Sequence, residues 1–113
     1  MNEEIIYFIL DSYSNAVKIG YTTIKGFSKR LENLQVGTPY DLKILGTIWG
    51  NKKIEKELHS KFKHLHIRGE WFTYSKELEE YLNESWDFSI IESLDKKLYK
   101  KLINKPEEVN YGK

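Results

Sequence analysis

At 113 residues and 13.5 kDa the chain has room for one domain with a modest core. Its 40% hydrophobic and 31% charged residues are the balance of an ordinary globular sequence, not of a disordered one. Cysteine is absent, which excludes a disulfide framework and a thiolate metal site, and no apolar run approaches the roughly 18 residues of a membrane span.

Net charge is only +1, but it is unevenly spread. Between Ser14 and Arg68, 11 Lys and Arg face Glu32, Asp41, Glu55 and Glu57, a local net of +7. From Gly69 to Asp95 one Lys faces eight acids, a net of −7, and the tail from Lys96 is basic again. A basic half that also carries aromatic and glycine features suggests a polyanion partner. Oppositely charged, solvated helix faces account for the same numbers. The start, MNEEIIYFILD, is acidic and its apolar run is too short for a signal peptide, so the expected compartment is the cytoplasm.

In chain order, two β-branched and aromatic runs, Ile5 to Leu10 and Ala16 to Tyr21, flank the polar cluster Asp11-Ser12-Tyr13-Ser14-Asn15. That layout predicts a β-hairpin, with Tyr7 in one strand and Lys18 in the other, just before Ile19-Gly20. Gly26 to Gly37 predicts a short amphipathic helix with Phe27, Leu31 and Leu34 on one face and Arg30 at its edge. After the Thr38-Pro39-Tyr40-Asp41 turn, Leu42 to Trp49 reads as a third strand. Leu42, Ile44, Gly46 and Ile48 share one side, and Lys43, Leu45, Thr47 and Trp49 the other. Asn51 is positioned to cap a helix over Lys52 to Leu65, whose buried stripe is Ile54, Leu58, Phe62 and Leu65. Glu55 and His59, four apart, lie one above the other on that helix. His66 to Phe72 gives a turn and a short aromatic extended piece, and Ser75 caps the acidic helix KELEEYLNES. A further helix from about Asp87 and a proline-bearing tail complete the chain.

Four polar residues fall on elements able to converge: Tyr7, Lys18, Arg30 and Glu55. A carboxylate can hold a hard divalent cation such as Mg²⁺, and an arginine can grip phosphate oxygens bidentately. A tyrosine near cations can act as general base on water. Together these make a plan for metal-assisted phosphodiester hydrolysis. Taken singly, each residue also has an ordinary role. Tyr7 suits packing with its hydroxyl at the surface, Lys18 and Arg30 suit solvent-side cations, and Glu55 suits pairing with neighbouring lysines or with His59.

The order of these residues resembles the GIY-YIG nuclease superfamily. Ile6-Tyr7 is followed after ten residues by Lys18-Ile19-Gly20, then by Arg30 on the next helix and Glu55 on a later one. The likeness is greatest to a branch of short phage and bacterial proteins. That branch has a KIG second motif, an RLxxLQ-type helix, the string E-x-x-L-H-x-x-F and a closing GEWF. Here these blocks are Lys18-Ile19-Gly20-Tyr21-Thr22, Arg30 to Gln35, Glu55 to Phe62, and Gly69-Glu70-Trp71-Phe72. The match covers about residues 5–73. Two departures stand out: the first motif is IIY, and Lys18 stands where many relatives have tyrosine.

The resemblance implies an α+β fold in which helices flank a small three-stranded antiparallel sheet. A nuclease domain would span 1–84, with a helical extension over 85–113. It implies a DNA endonuclease working with one Mg²⁺ or Mn²⁺ ion. Carried over by position, Tyr7 becomes the general base or water-orienting phenol, Arg30 the contact to the scissile phosphate and Glu55 the metal ligand. His59 becomes a neighbour that orients Glu55 or meets phosphate. Lys18 joins the active site, either lowering the Tyr7 pKa or binding phosphate or water. Gly20 leaves room for the substrate backbone, and Tyr21 and Lys29 complete the substrate-binding candidates. Trp71 and Phe72 are expected to close the core. A homodimer or a protein partner would supply specificity that so short a chain lacks. Two other readings share the scaffold: a nucleic-acid-binding module without turnover, and a protein-interaction regulator.

Overall fold

The computed structural model describes residues 3–85 and residue 90. Three strands come first: β1 (Glu4–Asp11), β2 (Ala16–Thr23) and, after helix α1 (Ile24–Val36), β3 (Leu42–Trp49). Helix α2 (Lys52–Lys61) and a single 3₁₀ turn (Lys63–Leu65) lead to the short strands β4 (His66–Arg68) and β5 (Trp71–Thr73), and α3 (Lys76–Ser85) follows. All five strands form one antiparallel sheet in the order β3-β1-β2-β5-β4. Among the described residues the fold is mixed α+β with an antiparallel sheet and three helices, but the sheet has five strands, not the expected three. The extra two arise because Trp71–Thr73 adds to the open edge of β2 and then recruits His66–Arg68. The expected helix beyond Asp87 and most of the 85–113 extension lie outside the described residues. Ile90 is buried among the core residues beneath α1.

β1 reads as an unbroken apolar run because both of its faces are covered. Ile5, Tyr7 and Ile9 pack under Phe27 and Leu31 of α1. Ile6 and Phe8 pack with Val17 and Ile19 on the other face, beneath Leu58 and Phe62 at α2 and Leu78 and Leu82 of α3. The side chain of Thr23 accepts from Gly26 N at 3.0 Å, so α1 begins two residues earlier than the sequence periodicity suggested. Asn51 caps α2 through Ile54 N at 3.0 Å, as expected, and Ser75 accepts from Leu78 N at 3.4 Å at the start of α3. The second helix is shorter than Lys52 to Leu65. It stops at Lys61, and the chain tightens into the 3₁₀ turn that leads to β4.

The third strand departs from its expected alternation. Phe8 pairs with Gly46 but Ile9 pairs with Ile44, so Leu45 is an extra residue and the strand bulges there. The bulge sends Leu42 and Ile44 to the α1 face and Ile48 to the opposite face. The apolar side that looked single is therefore divided between two cores.

Candidate active site

Strand pairing sets Tyr7 against Gly20 and Ile9 against Lys18. Tyr7, Lys18 and Gly20 thus point to the α1 face of the sheet. The Tyr7 ring is fully buried and stacks on Phe27, with centroids 5.5 Å apart. It leans across Gly20: a Cβ there would sit 2.5 Å from Tyr7 Cζ and closer still to the hydroxyl. The space above Gly20 is occupied by the phenol and not held open for a substrate strand, which corrects the expected reason for that glycine. Arg30, exposed on α1, reaches back so that Nη1 donates to Tyr7 Oη at 3.3 Å. On the far side of Tyr7, Thr47 is fully buried, and its hydroxyl has no hydrogen-bond partner among the described residues.

Glu55 and His59 come from the opposite face, on α2, and His59 reaches the same strand at its edge. β5 pairs with β2 only from Ala16 to Lys18. Beyond that point the Ile19 backbone is satisfied otherwise: its N–H donates to the Glu70 carbonyl, and its carbonyl accepts from His59 Nε2, both at 2.9 Å. His59 Nε2 therefore carries its proton toward the backbone. Its 4.0 Å separation from Glu55 Oε2 is too long for a hydrogen bond. The imidazole, packed edge-on against Phe72, staples α2 to β2. Orienting Glu55 by a hydrogen bond is not its role in this structure.

Lys18 is committed elsewhere. Its Nζ lies 3.2 Å from Glu70 Oε1 and 5.5 Å over the Trp71 ring. Trp71 thus shelves the lysine, while Phe72 alone closes the core. Glu70 is the residue that sequence reasoning missed. The Gly69-Glu70-Trp71-Phe72 block carries the signal, an acid directly before the aromatic pair that is expected to close the core.

The electrostatics tie these groups together. Burial first, then repulsion from Glu70, raises the Glu55 pKa above the usual carboxylate value, and a side-chain hydrogen bond with Glu70 adds to the rise. His59 and Lys52 oppose it. Burial also raises the Tyr7 pKa; Arg30 opposes that shift, while Glu70 and Glu55 reinforce it. The phenol is therefore neutral at pH 7. The expected lowering of its pKa is overturned, because desolvation outweighs the one guanidinium at its hydroxyl. Two predicted residues stand apart from this centre. Tyr21 is half-buried against the α2 and α3 core, on the face away from Tyr7, and Lys29 is exposed on α1.

Among the described residues no helix is long and apolar enough to cross a membrane, and no group of three or more His, Cys, Asp or Glu is gathered to hold a metal. Residues 4–87 match the T5orf172 domain, which is found in phage and bacterial nuclease-like proteins. Neither the curated proteins nor the solved structures yield a match. With the match running through the sheet and every described helix, the chain belongs to the T5orf172 domain family.

Proposed function

We propose that this protein is a DNA endonuclease that hydrolyses phosphodiester bonds on the GIY-YIG plan, with Tyr7, Arg30 and Glu55 as its working residues. The observation that carries the reading is convergence. A phenol on the α1 face, hydrogen-bonded to the Arg30 guanidinium, lies within electrostatic reach of a buried carboxylate from α2, beside the stretch of β2 that β5 leaves unpaired. A charged phosphate gripped by Arg30 would draw the guanidinium off Tyr7 Oη. The neutral phenol would then be free to hold and orient the attacking water, and its proton loss would follow once positive charge gathers beside it.

One Mg²⁺ or Mn²⁺ ion suits the carboxylates present. Glu55 is only 6% exposed, and its affinity for a proton is raised beside Glu70. A site that resists bearing two negative charges is relieved by a cation, and Mg²⁺ commonly binds through one or two carboxylates while keeping its waters. Glu55 would hold the ion, which would supply charge neutralisation at the phosphate and the leaving oxygen. Arg30 opposes the remaining charge, and the aliphatic and aromatic packing around Tyr7 excludes bulk water.

The test is a plasmid assay with wild type, Glu55→Ala and Arg30→Ala in Mg²⁺, alongside gel retardation of the same DNA. Wild type is expected to nick supercoiled plasmid, and both variants to retard DNA without cutting it. Retardation by wild type with no nicking in Mg²⁺ or Mn²⁺ would identify a binding module instead. Equal nicking by wild type and Glu55→Ala would overturn the role given to Glu55.

A further inference from the structure

We propose that Glu70 is a second carboxylate of the cation site, acting beside Glu55 directly or through a bound water, and that Lys18 is the positioning residue that holds it there. The inference rests on the nuclease reading but assigns two residues whose roles that reading leaves open. The geometry starts at Ile19. Its carbonyl is tied to His59, four residues along α2 from Glu55, and its N–H is tied to the backbone of Glu70. One residue of β2 therefore brings both acids to the same edge.

The loop that carries Glu70 is built to hold it. Gly69 and Glu70 are the two residues between β4 and β5, and Gly69 adopts φ 55°, the left-handed conformation that tight hairpin loops need at such a position. His66 Nε2 donates to the Gly69 carbonyl at 2.8 Å, which closes the turn. The side chain is fixed as well. Lys18 takes Oε1 at 3.2 Å, and the lysine, only 16% exposed, is itself braced over Trp71. An ordinary surface pair would leave both side chains loose, because its net contribution is small. Here one carboxylate oxygen is engaged by Lys18, and the carboxylate keeps further lone pairs for a second partner.

Glu55 supplies the other half. It is more than nine-tenths buried, yet the histidine paired with it stands 4.0 Å away with its proton directed to Ile19. A carboxyl group this buried beside a second acid gains when a cation arrives to offset both charges. The two carboxyl groups also stand within side-chain hydrogen-bonding reach of each other. Lys18 keeps the two acids tolerable without the ion and keeps Glu70 in reach of it. On this account the lysine acts on Glu70, not on the Tyr7 phenol.

The probe is Mn²⁺ alone, titrated into the full chain without DNA and followed by calorimetry, with circular dichroism to confirm that each variant is folded. Glu70→Gln is expected to weaken Mn²⁺ binding about tenfold, the loss usual for a residue that supports a metal ligand. Glu57→Gln, which removes an equal charge from the exposed face of α2, is expected to bind as wild type does. Lys18→Met separates positioning from bulk charge. Removing a cation should tighten Mn²⁺ binding by Coulomb's law alone, whereas loss of positioning weakens it, and Lys18→Arg restores it. Wild-type affinity in Glu70→Gln, with binding abolished in Glu55→Gln, would overturn this inference and leave the nuclease reading standing. Tighter binding in Lys18→Met would overturn the positioning role. Absence of Mn²⁺ binding in wild type would overturn the inference together with the metal-dependent reading beneath it.

Discussion

Glu55 is held at a cost. Its folded-state pKa is raised, so the native chain binds this proton more tightly than the unfolded chain does. The stability it contributes is present below the ordinary glutamate value and is lost as pH rises through the raised one. Glu55→Gln imitates the protonated form. The variant should therefore be more stable than wild type at pH 7, and the gap should close toward pH 4. Urea unfolding at the two pH values checks this; a variant less stable than wild type at pH 7 would contradict it. Sequence alone placed Arg30 at the edge of the α1 apolar face and Glu55 one turn before His59 on α2, because helix geometry fixes which neighbours share a face. It did not identify Glu70, whose partners Lys18 and Ile19 lie some fifty residues away across the β2–β5 edge. Nor did it reveal that desolvation raises the Tyr7 pKa, since burial depends on what α1 lays over the ring.

Among the elements, the β1–β2 pair is the frame of the site. The two apolar runs and the polar turn between them were legible because each strand carries eight residues and the turn chemistry is local. Asp11 Oδ1 accepts from Tyr13 N and Ser14 N, and Asn15 takes φ 58°, as a turn of this composition allows. The short strands were not legible as parts of the sheet, since three residues carry too little periodicity to reveal a partner. The bulge at Leu45 was hidden for a similar reason: alternation in β3 cannot show which face its partner strand presents. Within this pair, Gly20 is the position where backbone and phenol compete for space. Gly20→Ala should force the Tyr7 ring away or open the strands, lowering stability by about 1–3 kcal/mol. Denaturant unfolding reads this directly, and unchanged stability would show that the ring has room to spare.

At the scale of the whole molecule, helices cover both sheet faces and the catalytic candidates come from both. Tyr7 and Arg30 belong to the α1 side and Glu55 and His59 to the α2 side, and β2 is left without a β5 partner beyond Lys18. Topology creates that opening: the chain crosses from one face to the other between α1 and α2, and β5 is too short to seal the rest of β2. The central claim is that these side chains form one centre. Its most direct test is the nicking rate of Tyr7→Phe, Glu55→Gln and the double variant under single-turnover conditions in Mg²⁺. Each single change is expected to lower the rate by about 10²–10⁴, and the double variant to be no slower than the slower single, because groups that act as a unit are not additive. Losses that multiply in the double variant, or a single variant that cuts as fast as wild type, would contradict a shared centre.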